Sequence, residues 1–194
     1  MKFTFASKSF GTQTIFAPLT LTLEKGTVTA LMGPSGSGKT TLLKMVAGLD
    51  QDDKHTSQKR LKIGMMFQEP RLLPWKTVRE NIEIAGPVSD HLQALDLDDA
   101  SAFYPRQLSL GMAKRVAFAR AIASQPELLL LDEPFTSLDD LRVDLMRTMI
   151  IKTKDRLNIP VLITTHDYAD AKALQADIYT LEGRPAEIRT LSKA

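Results

Sequence analysis

At 194 residues, 43% hydrophobic and 25% charged, the chain has room for one domain with a real core and at most a small inserted subdomain. A formal net charge of +2 argues against a polyanion-binding surface, because nucleic acid asks for a clustered basic stripe. The lack of cysteine excludes disulfides and thiolate metal sites and fits a reducing cytosol.

Residues 1–8 alternate apolar and polar and lack the apolar run of a secretory signal. No stretch approaches the ~20 apolar residues of a membrane helix, so any membrane role is peripheral. Residues 2–5 and 19–23 alternate as half-buried strands, with Pro18 and the pair Lys25-Gly26 as turns. Between them an early loop carries Phe10, either partial core or a face on which a base can stack.

Residues 27–32 read as a buried strand and residues 40–47 as a helix, and the turn between them reads Gly33-Pro34-Ser35-Gly36-Ser37-Gly38-Lys39-Thr40-Thr41. This fits the phosphate-loop pattern G-x-x-x-x-G-K-[ST]. Glycines let successive N–H groups ring an anion where a Cβ would intrude, and the following helix adds its positive end. Lys39 then reaches the β- and γ-phosphates, and the Thr40 hydroxyl sits on magnesium. A nucleoside triphosphate site is expected.

Residues 50–62 are polar, hold His55 and read as a solvated loop. Residues 61–67 form a further buried strand ending at Gln68, which can reach a metal or water at the strand's carboxyl end. Residues 77–85 and 88–97 read as two helices broken by Gly86-Pro87, the second ending in a solvated acidic face of Asp96, Asp98 and Asp99. Ser109 precedes a helix running to about residue 124. Locally it reads as an N-cap, although a serine with Gly111 at a helix start can also hold an anion.

Leu128-Leu129-Leu130-Leu131 is a buried strand tipped by Asp132-Glu133-Pro134. Two carboxylates there repel and resist desolvation unless a magnesium ion and polarised water share the site. Asp132 falls beside the metal, and Glu133 orients or deprotonates water. Residues 137–140 start a long amphipathic helix reaching about Arg156, with Leu141, Leu145, Met149 and Ile150 on its buried side. Residues 160–165 form another strand with His166-Asp167 at its end. Alternating strands and helices predict an α/β fold, a mostly parallel sheet covered on both faces, with an antiparallel β layer at the N-terminus.

In order and over nearly the whole length, these motifs resemble the ATP-binding-cassette (ABC) ATPases. Gly33 to Thr40 correspond to the Walker A loop, Gln68 to the Q-loop glutamine, residues 108–112 to the signature, and residues 128–133 to Walker B. Residues 137–139 correspond to the D-loop, His166 to the switch histidine and Phe10 to the base-stacking aromatic. The resemblance implies a P-loop (RecA-like) core at residues 1–68 and 125–194 and a helical subdomain at about 69–124, all within one ABC ATPase domain.

It also implies ATP and Mg2+ as cofactors. Two copies close head to tail on ATP, Ser109 and Gly111 of one facing the γ-phosphate bound by the other. Gln68 and Thr40 hold magnesium with Asp132 behind them, Glu133 activates water and His166 contacts the γ-phosphate. Catalysis of this kind is mostly positioning and electrostatics. Residues 68–81 look most like importer cassettes for nitrate, sulfonates, taurine or thiamine precursors. This implies permease subunits, a solute-binding protein, a seat on the cytoplasmic face of the inner membrane and no nucleic acid. Trp75, with Leu72 and Leu73, either faces a permease or packs inside the helical subdomain.

Three features depart from the family. The signature reads Leu-Ser-Leu-Gly-Met, with Leu110 and Met112 where LSGGQ has glycine and glutamine, which points to weakened trans binding or slow hydrolysis. Residues 39–68 are shorter than usual, implying a trimmed hairpin. The sequence ends soon after His166, so no regulatory C-terminal domain is expected. The alternatives to an importer ATPase are a soluble, non-transport ABC protein and a low-turnover nucleotide-binding regulator.

Overall fold

The structure is a computed structural model that describes residues 1–49, 61–88, 91–183 and 185–192. His55, the rest of its polar stretch to residue 60 and much of the shortened hairpin lie outside these residues. The chain begins with four short strands: β1 (Lys2–Phe5), β2 (Lys8–Phe10), β3 (Gln13–Phe16) and β4 (Leu19–Thr22). β1 pairs antiparallel with β4 and β2 with β3, which makes the expected antiparallel layer. The segment read as an early loop is thus a hairpin, with Phe10 ending its first strand and Gly11 turning it at φ 57°.

β5 (Val28–Met32) leads through the phosphate loop into α1 (Lys39–Val46), and β6 (Ile63–Met66) follows. Next come α2 (Val78–Glu83), α3 (His91–Ala94), two single 3₁₀ turns and α4 (Leu110–Ala123). β7 (Leu128–Asp132), α5 (Asp140–Leu157), β8 (Val161–Thr164), α6 (Tyr168–Ala173), β9 (Asp177–Glu182) and β10 (Glu187–Ser192) complete the chain.

Among the described residues six strands form the main sheet in the order β10-β9-β5-β8-β7-β6, parallel except for β10 at one edge. Strict alternation along β7 splits the core. Leu129 and Leu131 face α4 and α5, while Leu128 and Leu130 face α1 and the N-terminal layer with Phe3, Phe5 and Phe16. A strand buried on both faces has no polar alternation, which is why it reads as a run of four leucines.

Of the helix expected over residues 88–97, the described residues show only α3. Asp96 adopts φ 54°, and buried Arg115 takes the carbonyls of Leu95 and Asp96 at 2.5 and 2.9 Å, so these groups are withdrawn from helical bonding. Asp98 and Asp99 are exposed, as a solvated face requires. On α5 the buried residues are Met146, Met149, Ile150 and Thr153, whereas Leu141 is 76% exposed and Leu145 only half-buried. Leu141 stands in the first turn, far around the helix from that stripe at 100° per residue.

α2 starts with a capping box: Thr77 Oγ1 accepts from the Glu80 N–H and the Glu80 carboxylate from the Thr77 N–H. Next to it, fully buried Asn81 accepts from the Leu73 N–H at 2.8 Å and donates to the carbonyls of Leu73, Lys76 and Thr77 at 3.0–3.2 Å. One amide therefore closes the loop that presents Trp75. Asn81→Ala leaves these backbone groups without their partner, and we expect it to cost about 1–3 kcal/mol of unfolding free energy in urea titrations, with loss of loop protection in hydrogen exchange.

Candidate functional site

Parallel register brings the site together. β5, β8, β7 and β6 lie side by side, with Leu31 opposite Thr164, Thr164 opposite Asp132, and Leu131 opposite Met66. Their carboxyl ends therefore deliver, in order, the phosphate loop, His166, the Asp132-Glu133 pair and Gln68. This is where open α/β sheets place their ligands.

In the phosphate loop Lys39 is buried and donates to the carbonyls of Gly33 and Pro34 at 2.8 and 3.1 Å. Gly38 is required twice over: its φ is 99°, and a Cβ there would fall 2.5 Å from Cζ of fully buried Phe16. Ser37 Oγ is buried with no hydrogen-bond partner. Thr41 belongs to α1, while Ser35 and Gly36 line a cleft with Gln13 and Thr14 of β3. Phe10 is 54% exposed on the same hairpin, which corrects its reading as partial core; Lys8 Nζ lies 5.3 Å from its ring centroid.

Asp132 is 1% exposed. Its Oδ1 accepts from Thr40 Oγ1 at 3.2 Å and Thr164 Oγ1 at 2.7 Å, and its Oδ2 is buried with no partner. Glu133 adopts a left-handed conformation, φ 46°, costly for a residue with a Cβ. Its N–H donates to Thr164 Oγ1 at 2.9 Å. Its carbonyl accepts from Thr136 Oγ1 at 2.8 Å and from Lys114 Nζ at 3.0 Å. His166 Nδ1 stands 3.9 Å from Glu133 Oε2 on an exposed loop. The loop is braced from α6 and α5: Thr165 Oγ1 donates to Asp170 at 3.2 Å, and Arg147 bridges Asp170 at 2.6 Å and Asp144 at 2.9 Å. Desolvation weakens the Arg147 charge, but the bonds and charges of the two aspartates outweigh it and raise its pKa.

Gln68 is exposed beyond β6. The signature stands apart. Ser109 N-caps α4 by accepting from the Met112 N–H at 3.2 Å, and Ser109, Leu110 and Gly111 line a cavity of about 850 Å³ with Ser137 and Asp139. No phosphate-loop residue lines that cavity. Leu110 is 52% exposed, and Met112 packs against the core. Trp75 is 70% exposed, so it does not pack inside the helical segment.

Residues 16–136 match the ABC transporter family. The chain belongs to that family. Among ABC proteins it is 41% identical over 187 residues to the aliphatic sulfonates import ATP-binding protein of Corynebacterium glutamicum, covering 90% of this chain and 77% of that protein. The protein of the same name in Granulibacter bethesdensis is 40% identical over 193 residues, covering 95% and 81%. An ATP-binding cassette solved as a post-hydrolysis dimer with ADP and Pi superposes with a TM-score of 0.83 at 26% identity, covering 100% of both chains. This ABC chain is thus an ATP-binding and ATP-hydrolysing cassette of the importer type.

Sequence reasoning singled out Asp132, Glu133 and His166 but missed Thr164, Lys114 and the Arg147–Asp170 brace, which act across long sequence separations, and Thr136, which bonds the Glu133 carbonyl three residues away. Thr164-Thr165 did carry a signal, since hydroxyls ending an otherwise apolar strand need partners. We expect Thr164→Val to destabilise the ABC cassette by about 1–3 kcal/mol in chemical denaturation, because it removes the donor to Asp132 and the acceptor for the Glu133 N–H. Thr164→Ser should retain most of the stability.

Proposed function

We propose that the protein energises uptake of a sulfonate-type organic anion, as a homodimer seated on separate permease subunits at the cytoplasmic face of the membrane. The observation carrying this reading is the split site. The phosphate loop, Asp132, Glu133 and His166 share one end of the sheet, while Ser109 and Gly111 line a different cavity. A second copy supplies the closing face: its Ser109 and Gly111 meet the γ-phosphate cradled by Gly33, Pro34, Ser35, Gly36, Ser37, Gly38, Lys39, Thr40 and Thr41. Phe10 stacks on the base. The sulfonate class rests on the names of the relatives, and uptake of such a solute calls for a solute-binding protein outside the cell.

We assign residues 1–68 and 125–194 to the core and about 69–124 to the helical subdomain. Exposed Trp75 then offers the permease an aromatic anchor. Among the described residues no helix is long and apolar enough to cross a membrane, so the membrane-spanning path belongs to the partner in this reading.

Magnesium fits the donor set, because Asp132 Oδ2 is buried and unpartnered beside the Thr40 hydroxyl, and hard cations take oxygen ligands. Thr40 and Gln68 would hold it with Asp132 behind, and the ion would neutralise phosphate charge. Lys39 binds and orients the phosphates, Glu133 takes the proton of the attacking water and His166 steadies the γ-phosphate.

Glu133→Gln should lower kcat for ATP hydrolysis about 10²–10⁴-fold, leave ATP affinity unchanged and trap a dimer visible by size exclusion. Equal turnover by wild type and variant would end this reading. In cells, the same variant should abolish uptake of a radiolabelled alkanesulfonate; uptake unaffected by it would remove the importer assignment.

A second reading, a low-turnover regulator, draws on Leu110, an exposed side chain at the signature position where the family has glycine. If Leu110 is a handicap, Leu110→Gly with Met112→Gln tightens ATP-dependent dimerisation and speeds turnover. Unchanged or lower activity means the cassette is matched to its own signature.

A further inference from the structure

The backbone around Glu133 is strained and heavily held. A left-handed, non-glycine residue persists only where its surroundings over-determine it. Three side chains from three places do so here: Thr164 from β8 takes the N–H, and Thr136 and Lys114 both donate to the carbonyl. Thr136 is local and Thr164 is already committed to Asp132. Lys114 differs from both. It is 2% exposed, carries a charge into the core and comes from α4, the helix that Ser109 begins.

Burying an ammonium is expensive, and a neutral donor could satisfy one carbonyl. The site repays the burial in part: Nζ also donates to Thr136 Oγ1 at 2.5 Å, and the carboxylates of Glu133 and Asp132 are close enough to favour its charge. Desolvation still prevails and lowers the Lys114 pKa below the ordinary lysine range. A costly group pointed at the backbone of the residue that acts on water suggests a use beyond packing.

We propose that Lys114 is a positioning residue: from the signature helix it grips the Glu133 carbonyl and so fixes the direction of the Glu133 carboxylate toward the attacking water. The proposal rests on the reading of Glu133 as the group that activates water. It adds a mechanical link, because the helix that presents Ser109 to the opposite nucleotide also holds the carboxylate of its own site. Displacement of α4 is then felt at Glu133 through one side chain, without passing through the phosphate loop.

The test is a double-mutant cycle in the full-length protein, using ATP turnover, ATP binding by titration calorimetry and thermal unfolding. Lys114→Met should lower kcat at least about tenfold, as misplacing a catalytic group does, with ATP affinity unchanged. Lys114→Gln, which keeps a donor but loses the charge and some reach, should recover part of that rate. Thr136→Ala, which removes the neighbouring donor and leaves Lys114 in place, should show the same kcat-only loss on a smaller scale and serves if Lys114→Met does not fold. In a Glu133→Gln background, Lys114→Met or Thr136→Ala should add little further loss. Full additivity in that background, weakened ATP affinity, or no change in kcat overturns the proposal. Wild-type turnover in Glu133→Gln alone would instead remove the functional reading on which it depends.

Discussion

The structure depends on how one buried carboxylate is compensated. Asp132 stands at the tip of a strand made of leucine, almost wholly removed from water. An ionised carboxylate in that setting needs hydrogen bonds or a cation. The fold meets the need from two neighbours: Thr164, aligned with Asp132 by parallel register, and Thr40, at the first turn of the helix after the phosphate loop. A one-residue slip between β7 and β8 would turn Thr164 to the other face and leave Asp132 without its closest donor. Register, helix start and acid position are thus parts of one requirement.

From that point the molecule divides into the strand ends that carry the phosphate-loop motif and the helix start that carries the signature motif. Of the first, those of β5, β7 and β8 belong to strands buried on both faces. The second is the start of α4, capped by Ser109 and reached through the segment that follows β6. Arg115 ties α4 to the turn at Leu95 and Asp96, and Arg120 ties it to the carbonyls of Pro70 and Arg71 just past Gln68. Burial lowers the Arg120 pKa, though a guanidinium stays charged in water at neutral pH. α4 is therefore fastened to both ends of the stretch that carries Trp75.

What could be read in the sequence was local. The phosphate loop, the leucine strand with its two acids and the histidine after the next strand each announce themselves within about ten residues, because strand-to-turn chemistry is local. β2, β3, β9 and β10 did not announce themselves. Their burial alternates poorly, so the apolar periodicity that marks a strand is missing, and they are defined by pairing, β2 with β3 and β9 with β10 and β5. The apolar pattern puts Leu141 on the buried side, but α5 buries Met146, Met149, Ile150 and Thr153, a stripe from which Leu141 in the first turn is turned away. Thr164, Lys114 and Arg147 escaped for the opposite reason: each has an ordinary local reading, and only folding brings it to Asp132, Glu133 or Asp170.

The loop closed by Asn81 carries a consequence for association. Trp75 is exposed, yet the backbone on both sides of it is bonded to one buried amide. A partner that covers this indole therefore meets a loop whose ordering entropy was spent during folding. Each side chain or segment that must be immobilised on contact subtracts from affinity, and here little of that subtraction remains. A small contact area can then suffice.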